Sequence, residues 1–83
     1  MKTVIFKAEL QKRLKAAEAQ GAASVDINSG EIHRTVGGYP STRHHMPVCC
    51  SVMYAEMRAS DRTISQPPKG KGASLTIRYA LPR

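Results

Sequence analysis

Five side chains of this 83-residue chain carry the atoms that zinc prefers: His33, His44, His45, Cys49 and Cys50. His45 and Cys49 stand four residues apart and would share one face of a helix. Adjacent cysteines are nevertheless the wrong spacing. Structural zinc sites separate paired ligands by roughly two to four residues and repeat the pair, and here His33 would have to arrive from a different helix. Two small core thiols and surface histidines is therefore the expectation, with no metal and no other cofactor. Cys49 or Cys50 with His45 also has the composition of a thiol nucleophile and its base, but a thiol facing a core has its pKa raised and its reactivity suppressed. The carboxylates Asp26, Glu31, Glu56 and Asp61 are scattered, and two of them have capping or turn roles, so no general acid–base pair is visible. Lys69-Gly70-Lys71-Gly72-Ala73-Ser74 lacks the spacing of a nucleotide-binding loop, and a strand pattern follows it instead of a helix. The chain reads as a binding protein and not as an enzyme.

Charge narrows the class of partner. The formal net charge is +7, from 13 Lys and Arg against 6 Asp and Glu. Residues 1–33 hold five basic and four acidic side chains, whereas residues 34–83 hold eight basic ones against Glu56 and Asp61. A basic surface of that kind concentrates polyanions and is the electrostatic footprint of nucleic-acid binding. Tyr39, Tyr54 and Tyr79 do not form a stacking platform, which makes a single-stranded or RNA partner the weaker option. Met46 to Ala55, the longest nearly apolar run, is about half the roughly 20 residues of a membrane-crossing helix. The first residues lack the apolar stretch of a secretory signal. No membrane partner and a cytoplasmic location are expected.

The elements that must position these groups follow from periodicity, and 83 residues allow one small domain over 1–83. Phe6, Leu10, Leu14 and Ala17 fall on one stripe of a first helix that ends near Gly21. Val4, Ile5 and Phe6 fit either a brief extended segment or the first turn of that helix. Ser24-Val25-Asp26-Ile27 alternates as a very short edge strand. Asn28, with Glu31 three residues on, starts a second helix whose Ile32 and Val36 point inward, with His33 and Arg34 on its flanks. That helix stops at Gly37-Gly38. A third helix begins near His44 to Met46 and runs to about Arg58, with Pro47 in its first turn. Met46, Cys49, Cys50, Met53 and Met57 cluster on its core side, leaving Val48, Ser51, Ala55 and Arg58 on the other. Arg62 to Gln66 reads as a strand with Ile64 its apolar member. Ala73, Leu75, Ile77, Tyr79 and Leu81 alternate as a second strand, closing a hairpin over Lys69-Gly70-Lys71-Gly72.

This order of elements, with its basic glycine-rich hairpin tip, resembles the winged helix-turn-helix superfamily over roughly residues 6–82. The resemblance rests on element order and size. It implies an α+β fold of three helices and a small antiparallel sheet with a C-terminal hairpin wing. It further implies that the third helix lies in the major groove of double-stranded DNA while the wing touches the adjacent backbone or minor groove. Carried onto this chain, the nucleic-acid contacts are Ser41, Thr42, Arg43, His44 and His45 at the approach to the third helix, Ser51 and Arg58 on it, and Lys69 and Lys71 on the wing. The outward face of that helix offers Val48, Ser51 and Ala55, a poor set for reading bases, since guanine and adenine recognition wants Arg, Asn or Gln. Arg43 then carries most direct readout, or binding runs chiefly through phosphates. The expectation is a small DNA-binding regulator or accessory module of a bacterial or mobile-element system. The alternative is a winged-helix-like adaptor docking on another protein through the same bland face. Oligomeric state is left open.

Overall fold

The computed structural model describes residues 2–36, 46–67 and 72–83. The elements are α1 (Lys2–Ala19), β1 (Ser24–Asn28), α2 (Ser29–Val36), α3 (Met46–Ala55), β2 (Arg62–Ser65) and β3 (Thr76–Ala80). β3 lies between β1 and β2 and pairs antiparallel with both, so the fold is α+β with three helices and one three-stranded antiparallel sheet. None of the described helices is long and apolar enough to cross a membrane.

The stripe of α1 is buried as its spacing predicts: Phe6, Leu10 and Leu14 lie in the core and Ala17 packs against it. Val4 and Ile5 belong to the helix and are exposed, because the stripe that includes Phe6 carries helical geometry back to its first turn. Gly21, at φ +80°, ends α1. Its N–H donates to the Glu18 carbonyl at 2.9 Å and the Ala22 N–H to that of Ala17 at 3.1 Å, so a left-handed glycine satisfies two terminal carbonyls.

α2 opens on the expected cap, with the Glu31 N–H donating to Asn28 Oδ1 at 3.1 Å. The Glu31 carboxylate lies 3.7 Å from the Arg13 guanidinium. The first N–H groups of a helix have no partner within it, and here the chain ahead of β3 supplies them. Ser29 N–H donates to the Leu75 carbonyl at 2.8 Å and Gly30 N–H to that of Ala73 at 3.2 Å. Ser29 Oγ donates to the Gly72 carbonyl. A Cβ on Gly30 would stand 2.9 Å from the Ala73 oxygen, so only glycine permits this approach. His33 is not on a flank: it is buried, with its ring stacked on Phe6 at 6.0 Å between centroids. α2 packs against both α1 and α3, and α1 brings Phe6 over the position beside Ile32, while Glu31, Arg34 and Thr35 keep the solvent face.

α3 buries Cys49, Cys50, Val52 and Met53, and Met57 packs on the same cluster. The side chain of Met46 lies outside the described residues. The helix ends at Ala55, about a turn short of Arg58, because Asp61 competes for the backbone. Its Oδ2 accepts the Arg58 N–H at 2.7 Å, and the Asp61 N–H returns to the Arg58 carbonyl at 2.9 Å. Leu75, Ile77, Tyr79 and Leu81 all face the core, as their alternation predicts. β1 is an edge strand. β2 forms too, but Ile64 falls at an irregularity between Thr63 and Ser65 and is 46% exposed, so it does not serve as that strand's core residue.

Candidate polyanion-binding surface

Most of the residues singled out for nucleic acid lie outside the described residues: Ser41, Thr42, Arg43, His44 and His45, which precede α3 in sequence, and Lys69 and Lys71, which fall between β2 and β3. Ser51 and Arg58 are described, and both are exposed. Ser51 faces a groove of about 430 Å³ between α3 and the start of α1, in company with Val48, Val52, Ala55 and Thr3. The sequence of α3 holds no Arg, Asn or Gln, so its exposed residues Pro47, Ser51 and Ala55 offer no bidentate partner for a base edge.

The charges are arranged more informatively. Each of the six carboxylates is occupied. Glu9 and Glu31 share Arg13, at 2.9 and 3.7 Å, and Glu56 lies 3.6 Å from the Lys7 ammonium. Glu18 accepts the backbone N–H of Arg83 at 2.9 Å. Asp26 takes a forked contact from Arg78, at 2.8 and 3.2 Å, and Asp61 takes the Arg83 guanidinium at 2.8 Å. Lys12, Lys15, Arg34, Arg58 and Arg62 are exposed and stand outside these pairs. Across the outer face of the sheet, Asp26, Arg78 and Arg62 form one row, since Arg78 is the register partner of both others. Like charges directly opposite destabilise a sheet. Asp26 offsets that by engaging Arg78, whose hydrogen bond holds the Asp26 carboxyl below its usual range, and the positive end of the row is left to Arg62.

Asp61 and Arg83 form the most elaborate polar node. Their side chains are 1% and 8% exposed. Asp61 Oδ1 also accepts the Ala80 N–H at 2.7 Å. The guanidinium donates to the Glu56 carbonyl and sits 5.1 Å from the centre of the Tyr79 ring. Burial acts to raise the Asp61 pKa, but the Ala80 and Arg58 N–H groups and the guanidinium outweigh it, so the carboxyl titrates below its ordinary range. Tyr79 donates its hydroxyl to the Met53 carbonyl at 2.8 Å, and burial followed by the Asp61 charge raises its pKa. The node ties the end of α3 to β3. Sequence reading missed it because its partners lie 19 and 22 residues from Asp61.

The thiols are fully buried. Cys49 donates to the Ser29 carbonyl at 3.6 Å. Cys50 accepts the Gly72 N–H at 3.3 Å, which anchors the chain as it leaves the hairpin tip. Desolvation and the neighbouring Cys50 push the Cys49 thiol up to about 12, which suits a core residue and not a nucleophile. Among the described residues, no three His, Cys, Asp or Glu side chains come together where a metal could bind. In comparisons with known proteins the chain matches no family model, no curated protein and no solved structure.

Proposed function

We propose that this protein is a winged-helix-type module that binds double-stranded DNA, chiefly through its phosphates. The observation that carries the reading is the occupation of all six carboxylates. Negative charge is committed to internal contacts, and among the described residues Lys12, Lys15, Arg34, Arg58 and Arg62 stand exposed outside them. Helix order and the β1-β3-β2 sheet agree with a winged helix. In that arrangement Ser41, Thr42, Arg43, His44 and His45 supply donors at the approach to α3. Lys69 and Lys71 supply them at the wing tip, and Arg58 and Arg62 add cations beyond the end of α3 and on the outer face of β2. Phosphate contacts position a protein without reading sequence. With no Arg, Asn or Gln on α3, none of the roughly 1–3 kcal/mol of discrimination that each bidentate base contact supplies comes from that helix, and two unrelated duplexes of equal length are expected to bind within about tenfold of each other.

Titration of a duplex at two salt concentrations tests this. Binding through phosphates gives a steep loss of affinity with salt, and replacing Lys69 and Lys71 together with Ala lowers the slope by up to about two. A slope near zero, or one untouched by the double replacement, overturns the reading.

A further inference from the structure

The groove beside Ser51 does not end at Ala55. Its wall residue Glu56 also lines a second cavity of about 200 Å³, where Gln11, Lys15, Arg58 and Arg83 meet. The two cavities lie in line along α1 and α3, Thr3 and Lys7 lining one and Gln11 and Lys15 the other, as a cleft bridged at its middle by the Lys7–Glu56 pair. One end is apolar, walled by Pro47, Val48, Val52 and Ala55; the other is polar and cationic.

We infer that this cleft docks an amphipathic helix from an acidic partner protein, whose apolar side chains lie along Val48 to Ala55 and whose carboxylates meet Lys15 and Arg58. The reading goes beyond DNA binding and does not depend on it. Length fits: the helical part of the wall, Pro47 to Ala55, is a little over two turns, roughly 12 Å at about 1.5 Å per residue, and Arg58 lies beyond its end. Shape fits as well. Ser51 and Ala55 are small and exposed, so a third helix can approach α3 closely, with anchors at the i, i+3, i+4, i+7 spacing of groove-bound helices.

Charge selects the partner's chemistry. In the apolar half the only charged wall residues, Lys7 and Glu56, are engaged with each other at 3.6 Å. In the cationic half the Arg83 guanidinium is committed to Asp61, and Glu18 to the Arg83 N–H. Lys15 and Arg58 stand outside such pairs, which asks for carboxylates on the incoming helix. A second copy of this chain does not fit that demand, since it brings a further +7 and its own carboxylates are engaged. Duplex DNA does not fit the apolar half.

The probe is a fluorescent 14-residue synthetic helix with an apolar i, i+3, i+4, i+7 stripe and glutamates at one end, compared with a scrambled peptide of identical composition. Anisotropy at physiological salt is expected to show the amphipathic peptide binding at least tenfold more tightly than the scrambled one. Ala55→Arg weakens it at least tenfold and Arg58→Glu at least threefold, while Lys12→Glu, outside the cleft, changes it less than twofold. Each variant is first checked for an unchanged circular dichroism spectrum and melting midpoint. Replacing Lys69 and Lys71 with Ala leaves peptide binding intact, which separates failure here from failure of the DNA reading. Equal binding of both peptides, or indifference to the two cleft variants, overturns the proposal. So does a dimer of the parent protein that Ala55→Arg converts to monomer, since a second copy would then occupy the cleft.

Discussion

Replacing Asp61 with Ala is the sharpest perturbation of the node that holds the end of α3 against β3. The change removes the acceptor of the Arg58 and Ala80 N–H groups and leaves the Arg83 guanidinium, 8% exposed, without its counter-charge. Breaking a buried pair in this one-sided way costs about 3–5 kcal/mol. A domain of 83 residues has a total stability of about 4–12 kcal/mol at roughly 0.05–0.15 kcal/mol per residue, so Asp61→Ala removes a quarter or more of it. At about 4–8 °C per kcal/mol for a domain of this size, the melting midpoint falls by at least about 12 °C. Urea titrations of the parent, Asp61→Ala, Arg83→Met and the double variant measure the coupling. The double variant is expected to lose at least about 1 kcal/mol less than the two single losses summed, because the second change removes a charge already stranded. A loss below about 1 kcal/mol for Asp61→Ala, or additive single losses, would refute the argument.

Three further predictions follow from the same contacts. The Asp61 and Asp26 carboxyls titrate below their unfolded value of about 3.9, so the unfolded chain binds more protons as acid is added. Their stabilisation is complete above that value and is lost as pH falls through the lower folded values; urea midpoints therefore drop below about pH 4, less steeply in Asp61→Ala. Gly30→Ala places a Cβ 2.9 Å from the Ala73 oxygen and is expected to cost about 1–3 kcal/mol in chemical unfolding, with full stability retained only if that contact is absent. Cys49 and Cys50, both fully buried, resist alkylation at pH 8 in the native protein and react within minutes in denaturant, as intact-mass spectrometry would show.

What could be read from the sequence was whatever repeats at a local period. The Phe6–Leu10–Leu14 stripe, the Asn28 cap and the Leu75–Leu81 alternation each specify one face of one element, and the fold keeps all of them. What escaped reading depends on residues far apart in the chain. His33 looked like a flank residue because helical periodicity ranks it by its own element, whereas α1 brings Phe6 onto its ring. The end of α3 is a local matter instead: the run stays helix-compatible to Arg58, but the Asp61 carboxylate, three residues on, captures the Arg58 N–H. The cleft was half legible. Ser51 and Ala55 lie on the outward face that the periodicity predicts, whereas Val48, expected beside them, is half-buried against the core, and the α1 wall and the Lys15–Arg58 end required tertiary structure.

Amide chemical shifts of the labelled protein on addition of a short duplex locate the polyanion-binding surface most directly. If the protein grips phosphates with the approach to α3 and the hairpin tip, the changes gather at 41–45, at Arg58 and Arg62 and at 69–72, and they fade as salt is raised. Changes confined to α1, or none at DNA concentrations that saturate a phosphate-binding protein, contradict it.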